Sequence, residues 1–132
     1  MLPIAGQVVV VEDDPTLQAL MVDILEEVGG KAVAFGTADD ALTYLLQSSE
    51  HCSLVIVDQG LPGQIQGTEF IELVKGKWPS VAAILVSGYQ IEPATVPETT
   101  VYLHKPWSLD DMVTAVASLL QPAHPVQKRS RH

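Results

Sequence analysis

Basic residues and cysteines are both scarce in this chain, and each shortage removes a class of function. Seven lysines and arginines stand against 16 acids in 132 residues, a formal charge of −9. Lys128, Arg129 and Arg131 fall in the last five residues, so residues 1 to 121 set all 16 acids against four lysines, a formal −12. A body of that sign repels a phosphate backbone, which argues against direct nucleic-acid binding. The single cysteine, Cys52, excludes an internal disulfide. No histidine stands at metal-ligand spacing from it, so inert packing is its expected role. No apolar run approaches the roughly 18 residues of a membrane helix. The start, Met1-Leu2-Pro3-Ile4-Ala5-Gly6, lacks the basic flank and apolar centre of a signal peptide. The expectation is a cytoplasmic protein with no membrane partner, long enough for one domain with a real core and too short for two.

What the chain does have is a set of short, β-branched apolar runs, each ending abruptly in a polar group. Leu54-Val55-Ile56-Val57 runs into Asp58 and then the turn Gln59-Gly60-Leu61-Pro62-Gly63. Such a run reads as a strand buried on both faces, as in the middle of a parallel sheet. Gln7 to Val11 ends the same way in Glu12-Asp13-Asp14, and Ala82 to Val86 ends in Ser87-Gly88. Ala32 to Phe35 is shorter and less apolar at its ends, which suits an edge, and Val101 to Leu103 precedes His104-Lys105-Pro106.

Helices fill the intervals. Asp14 followed by Pro15 is a helix start, and Leu17, Leu20, Met21, Ile24, Leu25 and Val28 recur at helical spacing. Thr37-Ala38-Asp39-Asp40 and Ser108-Leu109-Asp110-Asp111 have the form of capping boxes, and a further helix is expected over Thr68 to Lys77. Between Gln90 and Thr100, Pro93 and Pro97 forbid a full helix. Five strands alternating with four clear helices predict an α/β fold, a doubly wound parallel sheet of the flavodoxin-like (βα)5 kind. The expected strand order is 2-1-3-4-5, with the helix between strands four and five short or missing. Residues 1–121 form the expected domain and 122–132 a flexible tail.

In that order the acids after strands one and three share one edge of the sheet. Asp58 alone reads as a turn residue; beside Glu12 and Asp13 it becomes part of an anion cluster. Two anions about 4 Å apart repel by roughly 4 kcal/mol at an effective dielectric of ~20, so a cation is required. An all-oxygen donor set without histidine or cysteine suits Mg2+. Asp13 and Asp58 are the expected direct ligands, with Glu12 acting through water and the Gly60 carbonyl completing the set. Lys105, at the end of the last strand, adds a fixed positive charge.

Taken together, Glu12-Asp13, Asp58 with Pro62 four residues on, Ser87-Gly88 and Lys105-Pro106 resemble the receiver domain of two-component response regulators, over about residues 7 to 121. The resemblance implies that Asp58 accepts a phosphoryl group from the phosphohistidine of a histidine kinase or phosphotransfer protein, with Mg2+ in the acid pocket, and passes the signal to an effector. It implies that Ser87 hydrogen-bonds the phosphoryl group, that Lys105 pairs with it and that the Tyr102 rotamer follows Ser87. Such a domain is a phosphoacceptor with only self-phosphorylation and self-dephosphorylation chemistry, not an enzyme acting on other substrates.

Two stretches depart from the family pattern. The loop Gln59 to Gln66 is one residue longer than usual and looks like that of receivers attached to hybrid histidine kinases. Ser87 and Lys105 are 18 positions apart, fewer than in most receivers, which implies an altered output face and a monomer or a dimer through another surface. The alternatives are a receiver-like interaction module that is never phosphorylated, an aspartyl phosphatase, and a flavin protein of similar topology. The phosphatase usually needs a second acid where this chain has Gly60, and the acid cluster repels a flavin phosphate.

Overall fold

β-Branched residues build the centre of the sheet. In the computed structural model, which describes residues 4–88 and 100–120, β1 (Gln7–Val11), β3 (Cys52–Asp58) and β4 (Ala82–Ser87) are buried almost throughout. β2 (Lys31–Phe35) and β5 (Thr100–His104) are partly exposed and lie at the two edges. All pairings are parallel and the order is β2-β1-β3-β4-β5, the order that the apolar pattern and βα alternation predict.

The helices start where the capping residues place them. α1 (Pro15–Glu27) is opened by Asp14, whose carboxylate accepts the amides of Thr16 and Leu17. α2 (Ala38–Gln47) is opened by the Thr37 hydroxyl, which accepts the Asp40 amide at 3.0 Å. α3 spans Gly67–Lys77 and has no side-chain cap. α4 (Leu109–Leu120) has the full reciprocal box: the Asp111 amide donates to Ser108 Oγ at 3.0 Å and the Ser108 amide to Asp111 Oδ2 at 3.2 Å.

Alternation along each strand divides the core in two. Val9, Val11, Val55, Val57, Ala83 and Leu85 face α2 and α3, packing on Ala41, Leu45, Phe70 and Val74. Val8, Val10, Leu54, Ile56, Ile84 and Val86 face α1 and α4, packing on Met21, Leu25, Met112 and Val116. Both faces of the sheet are thus covered, and only its carboxyl edge is left to carry polar side chains into one place. Cys52 is buried, as expected of a packing residue, and burial pushes its thiol pKa up.

The expected loss of a helix between β4 and β5 falls mainly on residues 89–99, and the expected tail on 122–132; both lie outside the described residues. Among the described residues, no helix is long and apolar enough to cross a membrane.

Candidate functional site

Register alone brings the first two acids together. Val11 is paired with Val57 across β1 and β3, so the next residues, Glu12 and Asp58, emerge side by side. Glu12, Asp13 and Asp58 can each present a carboxylate oxygen within a cluster 4.8 Å across. Glu12 is 1% exposed and Asp58 8%, whereas Asp13 is open to solvent. Burial pushes the Glu12 pKa up; the Asp14 amide, donating to Glu12 Oε2 at 3.1 Å, pulls it down, Asp58 pushes it up again and Lys105 lowers it. The net direction is up, with burial the largest cause.

The counter-charge arrives from the far side of β4. Lys105 leaves β5 with its amide on the Ser87 carbonyl at 2.8 Å, and its Nζ reaches Asp58 Oδ2 at 3.3 Å and Glu12 Oε1 at 3.5 Å. Burial lowers the Lys105 pKa, but Asp58 and Glu12 outweigh that and leave it raised. Two of the three clustered carboxylates share this one ammonium, so the pocket keeps a negative surplus. Its donors are all oxygen, and one of them is exposed. That donor set fits a hard divalent ion such as Mg2+, which prefers a few carboxylates and keeps several waters.

Ser87 is fully buried at the end of β4, one residue beyond the Val86 that pairs with Asp58. Gly60 lies two residues after Asp58 in the turn that leaves β3, and that turn is tied at several points. The Gln59 amide donates to the Val86 carbonyl at 2.9 Å and Gln59 Oε1 accepts the Thr68 amide at 2.8 Å. Tyr102 stands further back on β5, opposite Leu85. It packs against the core on the α2 and α3 side, and its hydroxyl meets His104 Nδ1 at 3.0 Å. The structure therefore gathers Glu12, Asp13, Asp58 and Lys105, sets Ser87 and Gly60 beside them on the adjoining chain, and places Tyr102 on β5 three residues before Lys105.

Sequence reading missed the residues that support this arrangement. Gln59, Gln66 and Asp39 hold the loop after Asp58, and His104 partners Tyr102. The last of these was legible, since residues two apart on a strand share a face. The loop anchors were not: Asp39 reads as one more acid in the first turn of a helix.

A doubly wound sheet with an acid cluster and a lysine at its carboxyl edge defines a class of signalling domain, and the family of response regulator receiver domains matches the chain over residues 8–117. The chain belongs to that family. It is 30% identical over 119 residues to the hydrogenase transcriptional regulatory protein HoxA of Cupriavidus necator, covering 86% of this chain and 24% of HoxA. It is 27% identical over 122 residues to the nitrogen assimilation regulatory protein NtrX of Azorhizobium caulinodans, covering 89% of this chain and 26% of NtrX. The chain thus spans about a quarter of the length of these relatives. In fold it is similar to a CheY-like response regulator receiver domain from Methanospirillum hungatei JF-1, with a TM-score of 0.78, 23% identity, and coverage of 89% of this chain and 95% of that one.

Proposed function

We propose that this receiver domain takes a phosphoryl group onto Asp58 from the phosphohistidine of a cytoplasmic histidine kinase or phosphotransfer protein, and that the modified state is read by a downstream effector. The observation that carries the proposal is the Asp58 carboxylate, 8% exposed, 3.3 Å from the Lys105 ammonium and clustered with Glu12 and Asp13.

In the transfer, an Asp58 oxygen forms a bond to phosphorus as the bond from phosphorus to the donor imidazole nitrogen breaks, and the imidazole leaves with the electron pair. Catalysis of such a step is positioning and charge neutralisation, with no acid–base group needed. Lys105 holds one fixed positive charge beside the acceptor oxygen. Glu12, Asp13, Asp58 and the Gly60 carbonyl would hold Mg2+, which supplies neutralisation of the charge on the transferring oxygens.

Afterwards Ser87 donates its hydroxyl to a phosphoryl oxygen, and Tyr102 turns to follow it, giving up the contact with His104. Moving a mostly inactive population to a mostly active one takes about 5.5 kcal/mol. A single hydrogen bond of about 1 kcal/mol does not reach that, so Lys105 and the backbone after Ser87 act with it. In the same reading, the strongly acidic body makes no nucleic-acid contact, and the chain is a monomer or dimerises away from the β4–β5 connection. Incubation with a small acyl phosphate and Mg2+ should label the protein, and Asp58→Asn should not take label. A folded protein that binds neither Mg2+ nor a beryllium fluoride mimic would instead be an unphosphorylated interaction module.

A further inference from the structure

We infer that Asp39, in the first turn of α2, is a positioning residue for the phosphoacceptor pocket, acting through the loop that carries the Gly60 carbonyl. The inference rests on the reading of Asp58 and Gly60 given above.

Asp39 does not cap its own helix. That role belongs to Thr37, and the Asp39 carboxylate is turned to the loop after β3, where Oδ1 accepts the amides of Gln64 at 3.1 Å and Ile65 at 3.3 Å. Two successive amides converging on one anionic oxygen make a concave anion seat, and bonds to an ionised acceptor are the strong kind. Gly63 permits the approach: its φ is +99°, and a Cβ there would stand 2.6 Å from Asp39 Oδ1. Gln66 follows Ile65 directly, and its carboxamide closes a two-bond pair with Leu61, accepting from the amide at 3.2 Å and donating to the carbonyl at 3.0 Å. Leu61 is 6% exposed, and its amide also lies 3.1 Å from the Gln59 carbonyl, so Gly60 is enclosed between two fixed neighbours.

The contacts thus run without a gap from Asp39 to Gln64 and Ile65, through Gln66 to Leu61, and so to Gly60. Among the described residues, Asp39 is the one hydrogen-bonding side chain from outside the loop and α3 that reaches residues 60–66. A ligand carbonyl held in place before the ion arrives binds it better than one that must first be ordered, and supporting contacts of this kind are worth about 10- to 100-fold in metal affinity.

The test compares wild type, Asp39→Ala, Asp39→Asn and Gly63→Ala in the full chain, with two readouts. The first is amide hydrogen exchange at Leu61, Gln64 and Ile65 without metal. The second is the Mg2+ concentration giving half-maximal labelling by a small acyl phosphate. Asp39→Ala should speed exchange at all three amides and raise the Mg2+ requirement about tenfold, with the rate at saturating Mg2+ near wild type. Asp39→Asn keeps the accepting oxygen and should restore most of both, while Gly63→Ala, which strikes the same contact from the loop side, should reproduce Asp39→Ala. Faster exchange confined to Gln64 and Ile65, with Leu61 and the Mg2+ requirement unchanged, would overturn the inference. A wild-type protein that takes neither Mg2+ nor label would sink the phosphoacceptor reading instead, and the Leu61 exchange would still decide whether Asp39 fixes the Gly60 turn.

Discussion

Lys105 Nζ lies 3.3 Å from Asp58 Oδ2 although β5 and β3 are not neighbours. The lysine reaches across the end of β4 to an acceptor 47 residues earlier in the chain. Glu12, 1% exposed, depends on the same ammonium at 3.5 Å.

Removing that ammonium should therefore cost both stability and rate. Lys105→Ala leaves Glu12 and Asp58 facing each other. With the lysine side chain 27% exposed, the metal-free loss lies between the surface and buried limits, about 1–2 kcal/mol. Phosphoryl transfer to Asp58 should fall roughly 100-fold, as for loss of one preorganised charge-stabilising group. Urea melts with and without Mg2+ check the first part, and added Mg2+ should recover most of the lost stability. A variant as stable as wild type without metal would contradict the pairing.

The Glu12 carboxyl gives a pH signature. Burial, with Asp58 adding to it, holds its pKa above the ordinary carboxylate range. An acid raised in the folded state contributes stability that is complete below its unfolded pKa and is lost as pH rises through its folded pKa. In metal-free protein Glu12→Gln, which keeps an oxygen for the Asp14 amide, should be more stable than wild type at neutral pH. The advantage should shrink as pH falls into the ordinary carboxylate range. Paired thermal melts across that window measure it; an advantage that grows on acidification has the wrong sign.

Gly67 sits where the chain turns back into α3, and a Cβ there would stand 2.7 Å from the Asp58 carbonyl oxygen and 2.9 Å from Gln59 Cα. Both are backbone atoms at the end of β3, so the strand end must move. Gly67→Ala should cost about 1–3 kcal/mol and slow labelling of Asp58, despite the better helix propensity of alanine. A variant that gained stability would show that the strand end yields freely.

Much of this was legible in the residues. The order of the sheet follows from which runs are apolar throughout, Val8 to Val11 and Leu54 to Val57, and which are not, Lys31 to Phe35. Once that order is set, Glu12 must meet Asp58, because register carries it there. The caps at Asp14, Thr37 and Ser108 were equally readable, being local. What stayed hidden depends on side chains crossing between elements distant in sequence. Lys105 bridging Glu12 as well as Asp58, and Asp39 seating the amides of Gln64 and Ile65, leave no periodicity and no fixed spacing. Their meaning comes only from the turn that Gly63 permits and from the strand lying between.

The most direct measurement is residue-level mapping of the phosphoryl group after incubation with a small phosphorus–nitrogen donor and Mg2+. The account predicts one phosphoryl group per chain, on Asp58 in the β3 peptide, lost when Mg2+ is chelated beforehand and absent from Asp58→Asn. Label on another residue, or equal label in Asp58→Asn, would contradict it.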